Sequence, residues 1–576
     1  MRKLPLAWTV VLGAALRSAA AAEIPANVYE SPEPARPAGR LDEIVFAKLS
    51  TLGVQPVLCS DAVFVRRAYL DLIGKLPTAQ EAREFIENPT KGKRRELVDG
   101  LLERDEYADY WAMRWGDILR IKAEFPVNLW PNAAQAYHRW VRASIAENKP
   151  YDKFTRELLT SSGSNFRVGP VNFYRAVQNR TAEGIAMAVA LALMGSRADG
   201  WPEERLQGMA VFFSQIGYKP TGEWKEEIVF WDPLRASATA GNTAPGRDAI
   251  GAVAQPAGAA LESPALPPAA GGPKMAMFPD GTRIELPADR DPREVFADWL
   301  ITPENPWLAK SIVNRVWAWL LGRGIIHEPD DIRADNPPSN PQLLAYLEEE
   351  LVAGGYDLKQ LCRLVVNSST YQFSSVPRTS DPEALANFAV YPLRRLDAEV
   401  LIDAVNQVTG TSDLYTSAIP EPFTYIPRDM PAVAIADGSI TSPFLALFGR
   451  PARATGMENE RDNKPVPAQW LQMLNSSHIQ NKLERGPNLR GIIASGRGPR
   501  RILEELYLTI LSRKPSGEEI AAALAYGSAG EVNRPAGSAR SVGEGRGSRF
   551  VGGRTRENWI DIAWALINSA EFLYRH

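Results

Sequence analysis

The stretch SDAVFVRRAYLDLIGKLPTAQE, residues 60–81, encodes a helix, a corner and a second helix. Ser60 precedes a run of apolar residues at helical spacing, so its hydroxyl can accept from a first-turn amide and cap a helix running to Gly74. Thr78-Ala79-Gln80-Glu81 is a capping box: the Thr78 hydroxyl accepts from one exposed amide while the Glu81 carboxylate reaches back to another. The unit has an echo. Tyr69-Leu70-Asp71-Leu72 leading to Pro77-Thr78 and Glu81 recurs at identical spacing as Tyr507-Leu508-Thr509-Ile510 leading to Pro515-Ser516 and Glu519. Convergence on a common supersecondary form explains this as well as duplication does.

Outward from this stretch the helical period continues. Leu41, Ile44, Val45, Lys48, Leu49 and Leu52 share a face, and further helices are expected over 94–102, 107–121, 133–147 and 182–195. Trp111, Trp115, Tyr137, Trp140 and Val141 keep helical spacing, which assigns them to the core rather than to a ligand platform. The period then changes. Glu227-Ile228-Val229-Phe230-Trp231 reads as extended, and residues 275–278 and 282–286 flank the turn Pro279-Asp280-Gly281. Beyond it, Asp291-Pro292, Asn305-Pro306 and Asn340-Pro341 each set a capping side chain before proline at a first helical position. Helices are expected at 358–367, 396–408, 467–483 and 559–574. The fold class is therefore mainly α: two helical domains, 41–235 and 273–484, joined by a small β-sheet or hairpin, with C-terminal helices over 485–576. Two disordered insertions are expected, Ala-, Gly- and Pro-rich at 236–272 and Gly-, Ser- and Arg-rich at 528–554.

Arg2 and Lys3 precede an apolar run over residues 4–16 and a small-residue stretch ending at Ala22, the pattern of a cleaved signal peptide, 1–22. Export to the periplasm or the extracellular space is expected. No later stretch approaches the roughly 18 apolar residues of a spanning helix, so no membrane contact is expected after cleavage. A net charge of −3 argues against a nucleic-acid partner, which would call for a strongly basic balance. Cys59 and Cys362 make no disulfide framework; a single bridge between them is open, but their amphipathic surroundings favour buried free thiols. The histidines, at 138, 327, 478 and 576, are not at ligand spacing, so no metal site is expected from them. Gly-x-Ser-x-Gly and the phosphate-binding Walker loop are missing.

Two charged constellations are candidate sites. Between two apolar helices, residues 323–340 crowd Arg323, His327, Glu328, Asp330, Asp331, Arg333, Asp335 and Asn336. Asp330, Asp331 and Asp335 are catalytic candidates for two-carboxylate glycoside chemistry, with His327 an alternative proton carrier. Arg323, Arg333 and Asn336 are ligand-binding candidates, and calcium could be held through Asp331, Asp335 and backbone oxygens. The plainer alternative is that these groups cap helix ends and tie the loop to the body. The second constellation joins Arg394, Arg395, Asp397, Glu399 and Asp403 to Arg450, Arg453, Glu458, Glu460 and Arg461. Arginine forks among them, notably Arg394, Arg395, Arg450 and Arg461, suit a sulfate or carboxylate on a glycan, and intramolecular pairing is again the alternative.

The segment 64–74, the Tyr107-to-Trp115 stretch, Tyr137-His138-Arg139-Trp140-Val141 and Pro150-Tyr151-Asp152-Lys153-Phe154 resemble the planctomycete-type domain of unknown function numbered 1549. Val313-Asn314-Arg315-Val316-Trp317, Gly322-Arg323-Gly324-Ile325-Ile326, Asn336-Pro337-Pro338-Ser339-Asn340-Pro341 and Phe448-Gly449-Arg450-Pro451 resemble its companion, numbered 1553. The resemblance implies an exported protein of Planctomycetes–Verrucomicrobia type, working on extracellular polysaccharide or with a sulfatase-like partner protein. Many relatives carry Cys-x-x-Cys-His where this chain has Gly195-Ser196-Arg197-Ala198-Asp199-Gly200-Trp201-Pro202, so covalent c-type haem is excluded there and no cofactor is expected. The expectation is a binding or accessory component of polysaccharide processing; the alternative is a carboxylate-based glycan hydrolase or lyase.

Overall fold

The computed structural model describes residues 27–235, 274–526 and 555–576. The expected signal peptide and both expected insertions, 236–272 and 528–554, lie outside the described residues. Within them the fold is mainly helical with only small sheets.

The opening stretch folds as its capping chemistry dictates. The Ser60 hydroxyl accepts from the amide of Val63 at 3.3 Å and starts the helix Asp61–Leu72. Gly74 turns the chain at φ +63°, where a Cβ would lie 2.5 Å from the Tyr110 ring. The Thr78 hydroxyl then accepts from the Glu81 amide at 3.2 Å, the Thr78 amide donates to the Glu81 carboxylate at 2.8 Å, and the helix Ala79–Glu87 follows. The echo repeats this geometry. Helix Pro499–Leu511 ends at Ser512, left-handed at φ +60°, and the Ser516–Glu519 box opens Gly517–Ala525. The copies touch, Ala79–Glu87 packing on Pro499–Leu511 with Arg83 paired to Glu505 at 2.7 Å.

One contiguous apolar core runs through both helical halves, and Trp111, Trp115, Tyr137 and Val141 are buried in it as their spacing predicts. Polar stitches cross it. Buried Arg66 donates to the carbonyls of Ile510 and Phe572, both at 2.9 Å. Its neighbour Arg67 donates to the carbonyls of Tyr371, Phe373 and His576 at 2.5, 2.9 and 2.9 Å. A guanidinium carries five donors in a fixed fork, so one side chain can satisfy carbonyls from several segments at once.

The expected strand and hairpin both form: Glu227–Trp231 pairs on either side with Gly163–Ser164 and Ile216–Pro220, while Lys274–Met277 pairs with Arg283–Leu286 across a turn with Gly281 at φ +93°. Two helix expectations are corrected. The helix expected over 467–483 breaks into Pro467–Asn475 and Ser477–Arg485, because Ser476 is extended and its hydroxyl accepts from the His478 amide at 3.1 Å. The final helix likewise divides into Arg556–Ile567 and Ala570–Leu573, with Ser569 capping the second piece. It ends as the strand Tyr574–Arg575, which pairs with Arg394–Arg395. Cys59 and Cys362 are buried, unbridged thiols, and burial pushes Cys362 up to about 12.

Replacing Arg67 by Ala leaves three buried carbonyls without their donor and is expected to lower the unfolding free energy by about 3 kcal/mol or more. Arg67→Lys should recover only part of this, since one ammonium does not reproduce the fork. Urea denaturation followed by circular dichroism checks both; an Arg67→Ala chain within about 1 kcal/mol of the parent would contradict the assignment.

Candidate functional site

The loop over 323–340 is anchored at both ends. Gly322, at φ +73°, closes the helix Leu308–Leu321, and the Asn340 side chain accepts from the Leu343 amide at 3.1 Å to open Pro341–Ala353. Asn314 clamps the loop's start, donating to the Ile326 carbonyl at 2.9 Å and accepting from the Ile326 amide at 2.8 Å. Asp330 is buried beneath the loop, 2.7 Å from the buried guanidinium of Arg315, and accepts from the Glu458 amide at 2.5 Å. Arg315 also donates to the carbonyls of Ala192 and Leu191. Asp331 and Asp335 share the single guanidinium of Arg333, at 3.2 and 3.4 Å. Asn336 donates to the carbonyls of His327 and Asp331, both at 2.9 Å, and the charge of Arg323 acts on the exposed His327. These contacts tie the loop to the body, and Asp330 presents no oxygen to solvent. Gly195–Pro202 packs on this loop: the Gly195 carbonyl accepts from the Ile332 amide at 2.9 Å, and Arg197 pairs with Glu328 at 2.9 Å. Among the described residues, no three His, Cys, Asp or Glu side chains gather as a metal site.

The second constellation does converge, but on itself. Asp397 pairs with Arg114 at 2.7 Å and Arg575 at 2.9 Å, and accepts from Asn463 at 2.8 Å. Glu399 pairs with Arg461 at 2.7 Å and Arg450 at 3.1 Å, and Asp117 with Arg461 at 2.7 Å and Arg453 at 2.9 Å. Asp71 pairs with Arg394 and Arg575, both at 3.2 Å. Arg395 spends its donors on the carbonyls of Phe448, Asp462 and Asn463. Glu458 accepts from the Trp319 indole at 2.9 Å, and Glu460 from the amides of Ala454 and Thr455. The forks that suited a glycan anion thus face this chain's own carboxylates and carbonyls. Burial alone would raise Glu399, but Arg461 and then Arg450 bring it down to about 2, and Arg114, Arg575 and Arg461 overcome burial to hold Asp397 well below the carboxylate range. Asp403 behaves oppositely. Burial pushes it up to about 7, although it accepts from the amides of Ala432 and Val433 at 2.8 and 3.0 Å.

A third site lay outside the sequence-based expectations. It is an exposed aromatic surface built from three loops: residues 123–130, the turn between Ile216–Pro220 and Glu227–Trp231, and the segment around 417–430. Trp130 meets Phe423 edge-on with centroids 5.3 Å apart. The Lys225 ammonium lies 5.9 Å from the Trp130 ring centre and 5.3 Å from that of Trp224. Trp224 is 69 % exposed, and Phe125 and Tyr425 on the same loops are 80 % and 72 % exposed. The backbone beneath is strained yet pinned. Asn128, Trp130 and Lys225 all have positive φ, at 61°, 73° and 65°, a conformation costing about 1–3 kcal/mol per residue in sparsely populated regions. The Glu124 carboxylate accepts from the Ser417 hydroxyl at 3.3 Å and the Ala418 amide at 3.1 Å, and Asp437 accepts from the Ala123 amide at 2.8 Å. The Leu129 carbonyl accepts from Arg175 at 3.1 Å. The sequence signal for this surface is slight: aromatics next to proline, as in Phe125-Pro126, Trp130-Pro131 and Pro422-Phe423, with no helical stripe to absorb them.

These features define a helical protein whose two halves are locked through buried arginine–carboxylate pairs and share one aromatic surface. Residues 40–194 match the PSCyt2 family model, described as a protein of unknown function (DUF1549), and residues 292–526 match PSD1, likewise a protein of unknown function (DUF1553). The chain belongs to the proteins that carry these paired planctomycete-type domains. No curated protein and no solved structure matches it.

The two kinds of carboxylate give opposite pH dependences. Glu399 is depressed, so its contribution is full above the unfolded value of 4.5 and is lost as pH falls toward about 2. Asp403 is raised, so stability declines as pH climbs from the unfolded value of 3.8 through about 7. Glu399→Gln is expected to cost about 3–5 kcal/mol at neutral pH by stranding buried arginines, and markedly less near pH 2. Urea unfolding at neutral and acid pH measures this, and a cost that does not shrink at acid pH would refute it.

Proposed function

We propose that this chain is an exported, non-membrane binding or accessory component of extracytoplasmic polysaccharide processing, and that it engages glycan on the aromatic surface. The observation that carries the reading is the presence of exposed Trp224 and Phe423 beside half-buried Trp130, rings from three loops, on pinned and strained backbone. Exposed aromatic area is unfavourable in water unless a ligand covers it, and backbone strain collects where geometry must be held for function. A flat ring covers the C–H face of a pyranose while the sugar hydroxyls stay wet, so an exposed ring suits a sugar. The surface draws Trp130 from the first family domain's side and Phe423 from the second, which gives the pairing of the domains a use. The signal-like start supports export, and no helix among the described residues is long and apolar enough to cross a membrane. The family resemblance supports a polysaccharide ligand or a sulfatase-like partner.

The hydrolase or lyase alternative draws less support. A carboxylate pair must present one acid and one base to an open cleft, whereas Asp330 is buried on Arg315, and Asp331 and Asp335 are both held by Arg333.

The test is affinity electrophoresis of the mature chain in gels containing neutral or acidic polysaccharides, with released sugars assayed in parallel. Retention without product is expected, and Trp130→Ala and Phe423→Ala should each weaken it about tenfold or more while leaving the circular dichroism spectrum unchanged. Release of oligosaccharides would transfer the argument to the hydrolase, and retention by no glycan would end the binding reading.

A further inference from the structure

We infer that the aromatic surface selects an anionic glycan, a sugar chain bearing carboxylate or sulfate groups, and that Lys225 reads the charge. This rests on the glycan-binding reading above. Lys225 is exposed in the turn after Ile216–Pro220, and its ammonium stands near two ring faces, those of Trp130 and Trp224. The two acids that follow it in sequence are engaged elsewhere. Glu226 accepts from the hydroxyls of Ser164 and Thr221, and Glu227 pairs with Arg175 at 2.8 Å and Arg180 at 3.3 Å. Both therefore turn toward the body of the sheet and not toward Lys225. Among the described residues, most Lys and Arg side chains enter ion pairs or carbonyl contacts, and Lys225 contacts two rings.

The arrangement has a direct chemical reading. A sugar laid on the exposed ring of Trp224 carries its substituents at the ring's edge, where a carboxylate or sulfate ester comes within ion-pair reach of the Lys225 Nζ. The ring's quadrupole holds the ammonium in place before the ligand arrives. The left-handed backbone at Lys225, φ +65°, fixes the direction in which the side chain leaves the turn. A neutral chain would gain the stacking and leave the cation unused. Since the pair forms at an exposed site, salt should weaken it.

Two matched pairs of probes test this by affinity electrophoresis of the full mature chain: dextran against dextran sulfate, and methyl-esterified polygalacturonate against the free acid. The parent chain should bind the charged member of at least one pair about tenfold more tightly, which corresponds to one well-formed charge contact. Which pair shows the preference distinguishes sulfate from carboxylate. Lys225→Gln should abolish the preference and keep the binding of the neutral member, Lys225→Arg should preserve it, and Trp130→Ala should weaken both members. Equal affinity for charged and neutral members, or a preference that survives in Lys225→Gln, overturns the charge assignment while the glycan reading stands. Absence of retention by all four probes overturns both.

Discussion

The carboxylate of Asp397 is the point on which the rest of the molecule leans. It is fully buried, and its counter-charges come from Arg114 in the first half and Arg575 in the last described strand. Around it six guanidiniums, those of Arg114, Arg394, Arg450, Arg453, Arg461 and Arg575, meet four carboxylates, those of Asp71, Asp117, Asp397 and Glu399. Several surplus donors go to carbonyls and to the Tyr110 and Tyr391 hydroxyls. A buried ion pair is a weak source of net stability, but stripping one partner from it is costly. The halves therefore cannot part without stranding charge.

Much of the helical framework was legible because caps and periodicity are local. Ser60, Thr78 and Ser516 each act on an amide three residues away, so their roles can be read without knowing the fold. Ser476 and Ser569 have the same chemistry but sit inside patterns that run on as helix. What breaks the helix there is docking, as when the strand Tyr574–Arg575 pairs with Arg394–Arg395. The charged constellations were legible as clusters, yet their partners were not: Asp330 is closed by Arg315 on the preceding helix, and Arg461 by Asp117, 344 residues away. The aromatic surface was the least legible part. Trp130, Trp224 and Phe423 are isolated in sequence, and only the fold sets them side by side.

The protein thus inverts a common arrangement, keeping its densest charge inside and showing rings outside. The two are connected. Asp403 and Asp437, beside the charged interior, accept the backbone amides that fix the ends of the loops bearing Phe423 and Trp130. Rigid support below and exposed apolar faces above are what a stacking surface needs, since a flexible ring would lose on ordering what it gained on contact.

Arg66 and Arg67 carry a consequence in time. The carbonyl partners of Arg66, at Ile510 and Phe572, are made 444 and 506 residues later, and those of Arg67 at Tyr371 and Phe373 are made 304 and 306 residues later. A chain synthesised from its first residue onward holds the Arg66 guanidinium without these partners until nearly all of it has emerged, and that of Arg67 until well past its middle. The surroundings of the opening helix are thus completed by the segments made last.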